Sequence, residues 1–206
     1  MQVSVRNAWR GFNEPLEGLI TWMYLDIKGL VTTGMGNLID PVDAAVALPW
    51  QDADNEPAPL DAILAEWSRI KRDHILASQG AQAAKAVATL HLADPAINTL
   101  ILDKLDRNEA ILKANPAFAE FDTWPADAQL GVLSMAWAMG PGFGPHFPHF
   151  SQACAAADFT TAAADCQMNA SANPGLVRRN AANRQAFRFA ATAPDPAVLR
   201  SRIPPL

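Results

Sequence analysis

Apolar and polar positions divide the chain into segments of clearly different period. Residues 3–12 (VSVRNAWRGF) repeat their apolar positions at helical spacing and predict a short amphipathic helix. Asn13-Glu14-Pro15 is expected to interrupt it, because proline lacks a backbone donor and crowds the preceding turn. Leu16-Glu17-Gly18 then reads as a turn. From Leu19 to Ile39 the residues favour strands (Trp22, Tyr24, Ile27, Leu30, Val31, Thr32, Thr33) and glycines punctuate them, which predicts a small antiparallel sheet with tight turns. Four prolines between Asp40 and Pro59 make that stretch mostly loop, with one short helix near 42–48.

Helical spacing returns at Leu60–Leu92, with Gly80 as a break. Asp94-Pro95 opens a helix to about Lys113, aspartate capping and proline in the first turn. Trp124-Pro125-Ala126-Asp127 starts the most apolar helix, AQLGVLSMAWAMG, which stops at Gly140-Pro141; apolar all round, it is expected to be the central buried helix. Two shorter helices near 151–157 and 159–168 precede an arginine-bearing helix after Pro174-Gly175, and the end of the chain (IPPL) reads as a loose tail. These elements sum to a mainly helical α+β protein with one early sheet.

Composition narrows the class. Half of the 206 residues are hydrophobic and 18% charged, enough for a packed core. No apolar run reaches the roughly 18 residues of a membrane span, so stable membrane insertion is not expected. Residues 1–16 lack a basic start followed by an apolar stretch, so no secretory leader is expected. The net charge is −5, yet six arginines from residue 170 onward face only Asp195, a local +5. That patch serves equally as a solvated helix face or as a surface for an anionic polymer. Cys154 and Cys166 are too few for a disulfide framework; they read as two buried thiols, or as a pair if the protein works outside the cytoplasm. No metal-ligand spacing appears among His74, His91, His146 and His149, and neither a metal nor an organic cofactor is expected.

Candidate chemistry concentrates in EGLITWMYLDIKGLVTTGMG, residues 17–36. Two acids and a threonine fall at Glu17, Asp26 and Thr32, with Gly29, Gly34 and Gly36 interleaved. Glycoside cleavage needs one carboxyl group to protonate the leaving oxygen and another to ready a water, with their proton affinities pushed apart. Glu17 falls where a helical segment meets the sheet, beside Leu16 and Leu19 and with Trp137 a candidate neighbour; burial there would keep it protonated. Asp26 follows a strand at a polar turn and should stay ionised. A hairpin would return Thr32 alongside it, and Gly34 and Gly36 would let a sugar approach the backbone.

This pattern resembles the catalytic signature of the phage-type lysozymes, enzymes that cut peptidoglycan glycan strands. The resemblance spans about residues 5–190 and is strongest over 16–39, 122–143 and 174–189. It implies a lysozyme-like two-lobed fold with Glu17 as proton donor and with Asp26 and Thr32 binding the water that attacks with inversion. Tyr24, Gly29, Gly34 and Gly36 match framework positions. DAQLGVLSMAWAMG (127–140) resembles the family's central helix, and PGLVRR (174–179) resembles the segment in which an arginine faces the catalytic acid, here Arg179 as the better match with Arg178 second. A single catalytic domain follows, with a sheet-bearing lobe over about 16–60, a helical lobe over about 61–190 and a tail beyond. Substrate contacts are expected from Tyr24, Gly34, Gly36, Trp137 and Arg179, although Trp137 fits the core equally well.

The resemblance implies a monomeric muramidase acting on peptidoglycan, not on nucleic acid. It would be made in the cytoplasm and reach the wall after lysis, as an endolysin, or by dedicated secretion, as an antibacterial effector with an immunity protein to block it. A non-catalytic peptidoglycan-binding module and a glycosidase of chitin or chitosan are the alternatives. Departures from the family pattern are Pro15 ahead of the acid, Asn37 where relatives often carry histidine, Ala138, and an enlarged segment over 40–120.

Overall fold

A computed structural model describes residues 1–171, 173–193 and 195–202. In chain order the elements are α1 (Val3–Glu17), β1 (Ile20–Leu25), β2 (Val31–Gly34), β3 (Asn37–Leu38), α2 (Val42–Val46) and β4 (Trp50–Gln51). There follow α3 (Leu60–Arg72), α4 (Ile75–Gln79), α5 (Ala81–Lys85), β5 (His91–Leu92) and α6 (Asp94–Lys113). The last are α7 (Ala126–Met139), α8 (Pro148–Ala155), α9 (Phe159–Asp165) and α10 (Gly175–Ala191). The protein is thus mainly helical, with a small antiparallel sheet near its start. Among the described residues, no helix is long and apolar enough to cross a membrane.

The chain forms two compact units, one of residues 17–103 and the other of 1–16 with 104–206. Residues 61–103, expected with the helical lobe, therefore belong with the sheet. In that unit β1, β2 and β3 lie in order, with Tyr24 opposite Thr32 and Leu25 opposite Val31. Met23, Leu25 and Val31 are buried, and α3, α4 and α5 pack on β1. Buried Glu66 of α3 accepts hydrogen bonds from the Thr89 amide (2.8 Å) and hydroxyl (2.5 Å), tying α3 to the approach to β5. β5 pairs with β4, a two-stranded ladder too short to leave a period in the sequence. Trp50 is buried on that ladder, its indole donating to the Ala45 carbonyl at 2.8 Å.

The other unit surrounds α7, whose residues are buried continuously from Ala126 to Trp137. Gly131 lets α10 approach: a Cβ there would lie 2.8 Å from the ring of Phe187. Phe187 packs edge-on to Phe150, which stacks toward Phe118 and Phe143. Met135 is buried, whereas Met139 at the helix end is exposed. The tail is not loose where it is described. The Ser201 amide donates to the fully buried Asp127 carboxylate at 2.7 Å, the Ser201 hydroxyl joins it, and the Arg200 amide donates to both carboxylate oxygens at 3.2 Å. Residues 203–206 of the expected tail lie outside the described residues.

Pro15 does not interrupt α1, which continues to Glu17. Pro15 sits in the last turn of the helix, where its missing amide costs one hydrogen bond to the Gly11 carbonyl and only two more helical residues follow. Gly18, at φ +75°, then ends the helix as glycine commonly does.

Candidate active site

The β1–β2 hairpin positions Asp26. Its turn closes through the Gly29 amide, which donates to the Asp26 carbonyl at 2.9 Å, and Gly29 takes φ +73°, which glycine adopts without strain. The Asp26 side chain completes the turn: its Oδ1 accepts from the Lys28 amide at 2.8 Å and from the Leu30 amide at 2.9 Å. Among the described residues, Oδ2 takes no hydrogen bond. The hairpin fixes the carboxylate by one oxygen and leaves the other for a ligand or water.

Asp26 follows directly after β1, two residues beyond Tyr24. Thr32 lies directly across the sheet from Tyr24; facing residues have Cβ atoms about 4.5–5.5 Å apart. The Thr32 hydroxyl donates to the Leu30 carbonyl at 3.1 Å, so its lone pairs remain as acceptors. Glu17 is the final residue of α1. Burial, the negative charge of Asp26 and that of Glu17 together push the Tyr24 phenol up to about 12. Both carboxylates thus act on one hydroxyl. Tyr24 stays neutral at any ordinary pH and keeps a proton to donate.

Burial does not account for Glu17, which is exposed. The expectation that an apolar pocket keeps its proton in the unbound protein is therefore corrected. Gly34 and Gly36 flank the β2–β3 turn at φ +63° and +71°. Gly34 is buried, and a Cβ there would lie 2.7 Å from the Asn37 side chain. Asn37 fills that space: its Oδ1 accepts from the Met35 amide at 3.1 Å and its Nδ2 donates to the Leu100 carbonyl at 3.0 Å. Close packing against Asn37 is thus the reason for glycine at 34, whereas Gly36 is exposed.

Two expected substrate contacts belong to the unit built on α7. Arg179 is 2% exposed and donates to Asn13 Oδ1 at 2.9 Å, to Ser134 Oγ at 2.9 Å and to the Ser134 carbonyl at 3.2 Å. It joins α1, α7 and α10, and Asn13 sits one turn before Glu17 on α1. Trp137, 6% exposed, packs on Trp9 at 5.3 Å between ring centroids and carries the Lys104 ammonium 4.0 Å above its ring. Its core role prevails, and the expected sugar-stacking face is occupied by protein.

The sequence reading missed two further charged residues at the hairpin. Lys71 of α3 donates to the Gly29 carbonyl at 2.9 Å and to Asp40 Oδ1 at 2.5 Å, and Asp40 Oδ1 accepts from the Val31 amide at 2.9 Å. Burial pushes the Asp40 carboxyl up, but its bonds from Lys71 and Val31 outweigh that and hold it below the usual carboxylate range. Lys71 is 31 residues from Asp40, so no local spacing could have joined them. Among the described residues, no cluster of His, Cys, Asp and Glu could hold a metal ion. No protein-family model matches the chain, and no curated protein matches its sequence.

Proposed function

We propose that this protein is a lysozyme-type glycoside hydrolase that cuts peptidoglycan between N-acetylmuramic acid and N-acetylglucosamine, with inversion. One observation carries the reading: the β1–β2 hairpin holds Asp26 by one carboxylate oxygen, next to a pair in which Thr32 lies directly across the sheet from Tyr24. Glu17 ends α1 just ahead of β1, and after burial the charges of Asp26 and Glu17 both push the Tyr24 phenol up. In the proposed reaction Glu17 gives its proton to the bridging oxygen as the C1–O bond breaks. A water bound by Asp26 Oδ2 and Thr32 Oγ1 adds to C1 from the opposite face, and its proton passes to Asp26. Solvent then takes the proton from Asp26 and returns one to Glu17.

A bound glycan strand would displace water from the exposed Glu17 side chain, so the desolvation that favours its protonated form would arrive with the substrate. Tyr24, neutral and with its hydroxyl unbonded among the described residues, offers a donor to a sugar oxygen. Arg179, on this reading, holds α1 through Asn13 and so steadies the helix that carries the acid. The substrate is the bacterial wall, reached by an endolysin after lysis or by a secreted effector countered by an immunity protein.

Clearing of a peptidoglycan suspension tests the roles. Glu17→Gln and Asp26→Asn should each lower the rate by roughly 10²–10⁴-fold while the far-ultraviolet circular dichroism stays native. NMR of fresh products should show the inverted anomer. A variant that keeps more than a few per cent of wild-type activity would remove that residue from its role.

A further inference from the structure

Asp26 is held by peptides of its own hairpin, and one of these is in turn held from outside. The Gly29 carbonyl and the Leu30 amide belong to a single peptide group. On one side its N–H donates to Asp26 Oδ1 at 2.9 Å; on the other its C=O accepts from Lys71 Nζ at 2.9 Å. The same ammonium pairs with Asp40, whose Oδ1 accepts from the Val31 amide, the next N–H along. We propose that Lys71, steadied by Asp40, is a positioning residue that aims and polarises the Gly29–Leu30 peptide and thereby fixes the Asp26 carboxylate for catalysis. This rests on Asp26 as the water-activating base.

Hydrogen bonds in series strengthen one another, and a cation on the carbonyl makes the opposite N–H a stronger donor. The hairpin tip itself is bare: Ile27 is 92% exposed and Lys28 is exposed, so local packing does little to hold the turn. The clamp from α3 supplies the missing constraint. Lys71 and Asp40 are each partly buried, with side chains 31% and 24% exposed. The pair acts through the backbone and need not touch a sugar.

The Lys28 and Leu30 amides provide an internal comparison, because both donate to Asp26 Oδ1 but only the Leu30 peptide carries Lys71. In Lys71→Met at neutral pH, the Leu30 amide proton should move upfield while that of Lys28 stays within a few hundredths of a ppm. Wall cleavage should lose kcat by roughly tenfold or more with KM little changed, since a small displacement of a catalytic group is costly. Lys71→Arg should recover most of the rate. If Lys71→Met does not fold, Lys71→Gln, neutral but polar, takes its place with the same expected directions. Equal shifts of both amides, or no shift of Leu30, would overturn the clamp, whether or not the wild-type protein cleaves glycan. An unchanged kcat in a cleaving enzyme would do so as well. A wild-type protein that cleaves nothing would instead overturn the muramidase reading, and the amide comparison would still decide the clamp.

Discussion

Tyr24 is the only tyrosine in the chain, so the near-ultraviolet absorbance of tyrosinate reports that residue alone. Its midpoint should lie near 12, against 10.0 for an unperturbed phenol. Glu17→Gln and Asp26→Asn should each lower it, because each removes a negative charge that opposes ionisation. A midpoint at the ordinary value, or one that ignores both substitutions, would place the carboxylates elsewhere. Folding is linked to this proton. The unfolded chain ionises first, so Tyr24 stabilises the fold fully below pH 10, and that contribution is lost as pH rises toward 12. The residues of this neighbourhood were legible because hairpin chemistry is local: an Asp at the turn, a Gly at positive φ and β-branched flanks specify each other within a few positions. The exposure of Glu17 and the covered ring of Trp137 were not legible. Both depend on partners far away in the chain, as Trp9 and Lys104 are from Trp137.

At the scale of elements, period and punctuation identified most helices but not all of their ends: the stretch Leu60–Leu92, expected to break only at Gly80, breaks also at Asp73-His74, and its helical part stops at Lys85. The failures have physical causes. Pro15 reads as a breaker, but a proline in the last turn removes a single hydrogen bond. β4 and β5, two residues each, have no room for an alternating pattern. The packing of α7 against α10 is a close approach that sequence marks only by one glycine in an otherwise apolar helix. Gly131→Ala sets two effects against each other. Alanine is the better helix former by about 1 kcal/mol, but its methyl would meet Phe187 ring atoms at 2.8 and 2.9 Å. Phe187 is fully buried against Phe150, with ring centroids 5.2 Å apart, and has little freedom to yield. Overpacking, worth roughly 1–3 kcal/mol, should win, and thermal unfolding should fall by roughly 2–4 °C per net kcal/mol lost. An unchanged or higher Tm would show that the ring moves aside freely.

Across the whole molecule, the arginines that make the end of the chain locally positive are largely engaged in structure. Arg179 is buried, Arg178 donates to the Pro15 carbonyl, Arg184 to Gln167, and Arg200 to the Phe189 carbonyl and Thr192. Counting charge along the chain could not separate these roles, because each partner is fixed by the fold. The two cysteines are free and buried, and burial pushes both thiols up, Cys166 to about 11, so neither offers a reactive thiolate at neutral pH. The functional reading depends on which bond in the wall is broken. Mass spectrometry of fragments released from purified sacculi identifies that bond directly. The expected products are disaccharide muropeptides ending in a reducing N-acetylmuramic acid, absent with Glu17→Gln. Fragments ending in reducing N-acetylglucosamine, freed stem peptides, or no release by the folded wild-type protein would contradict the account.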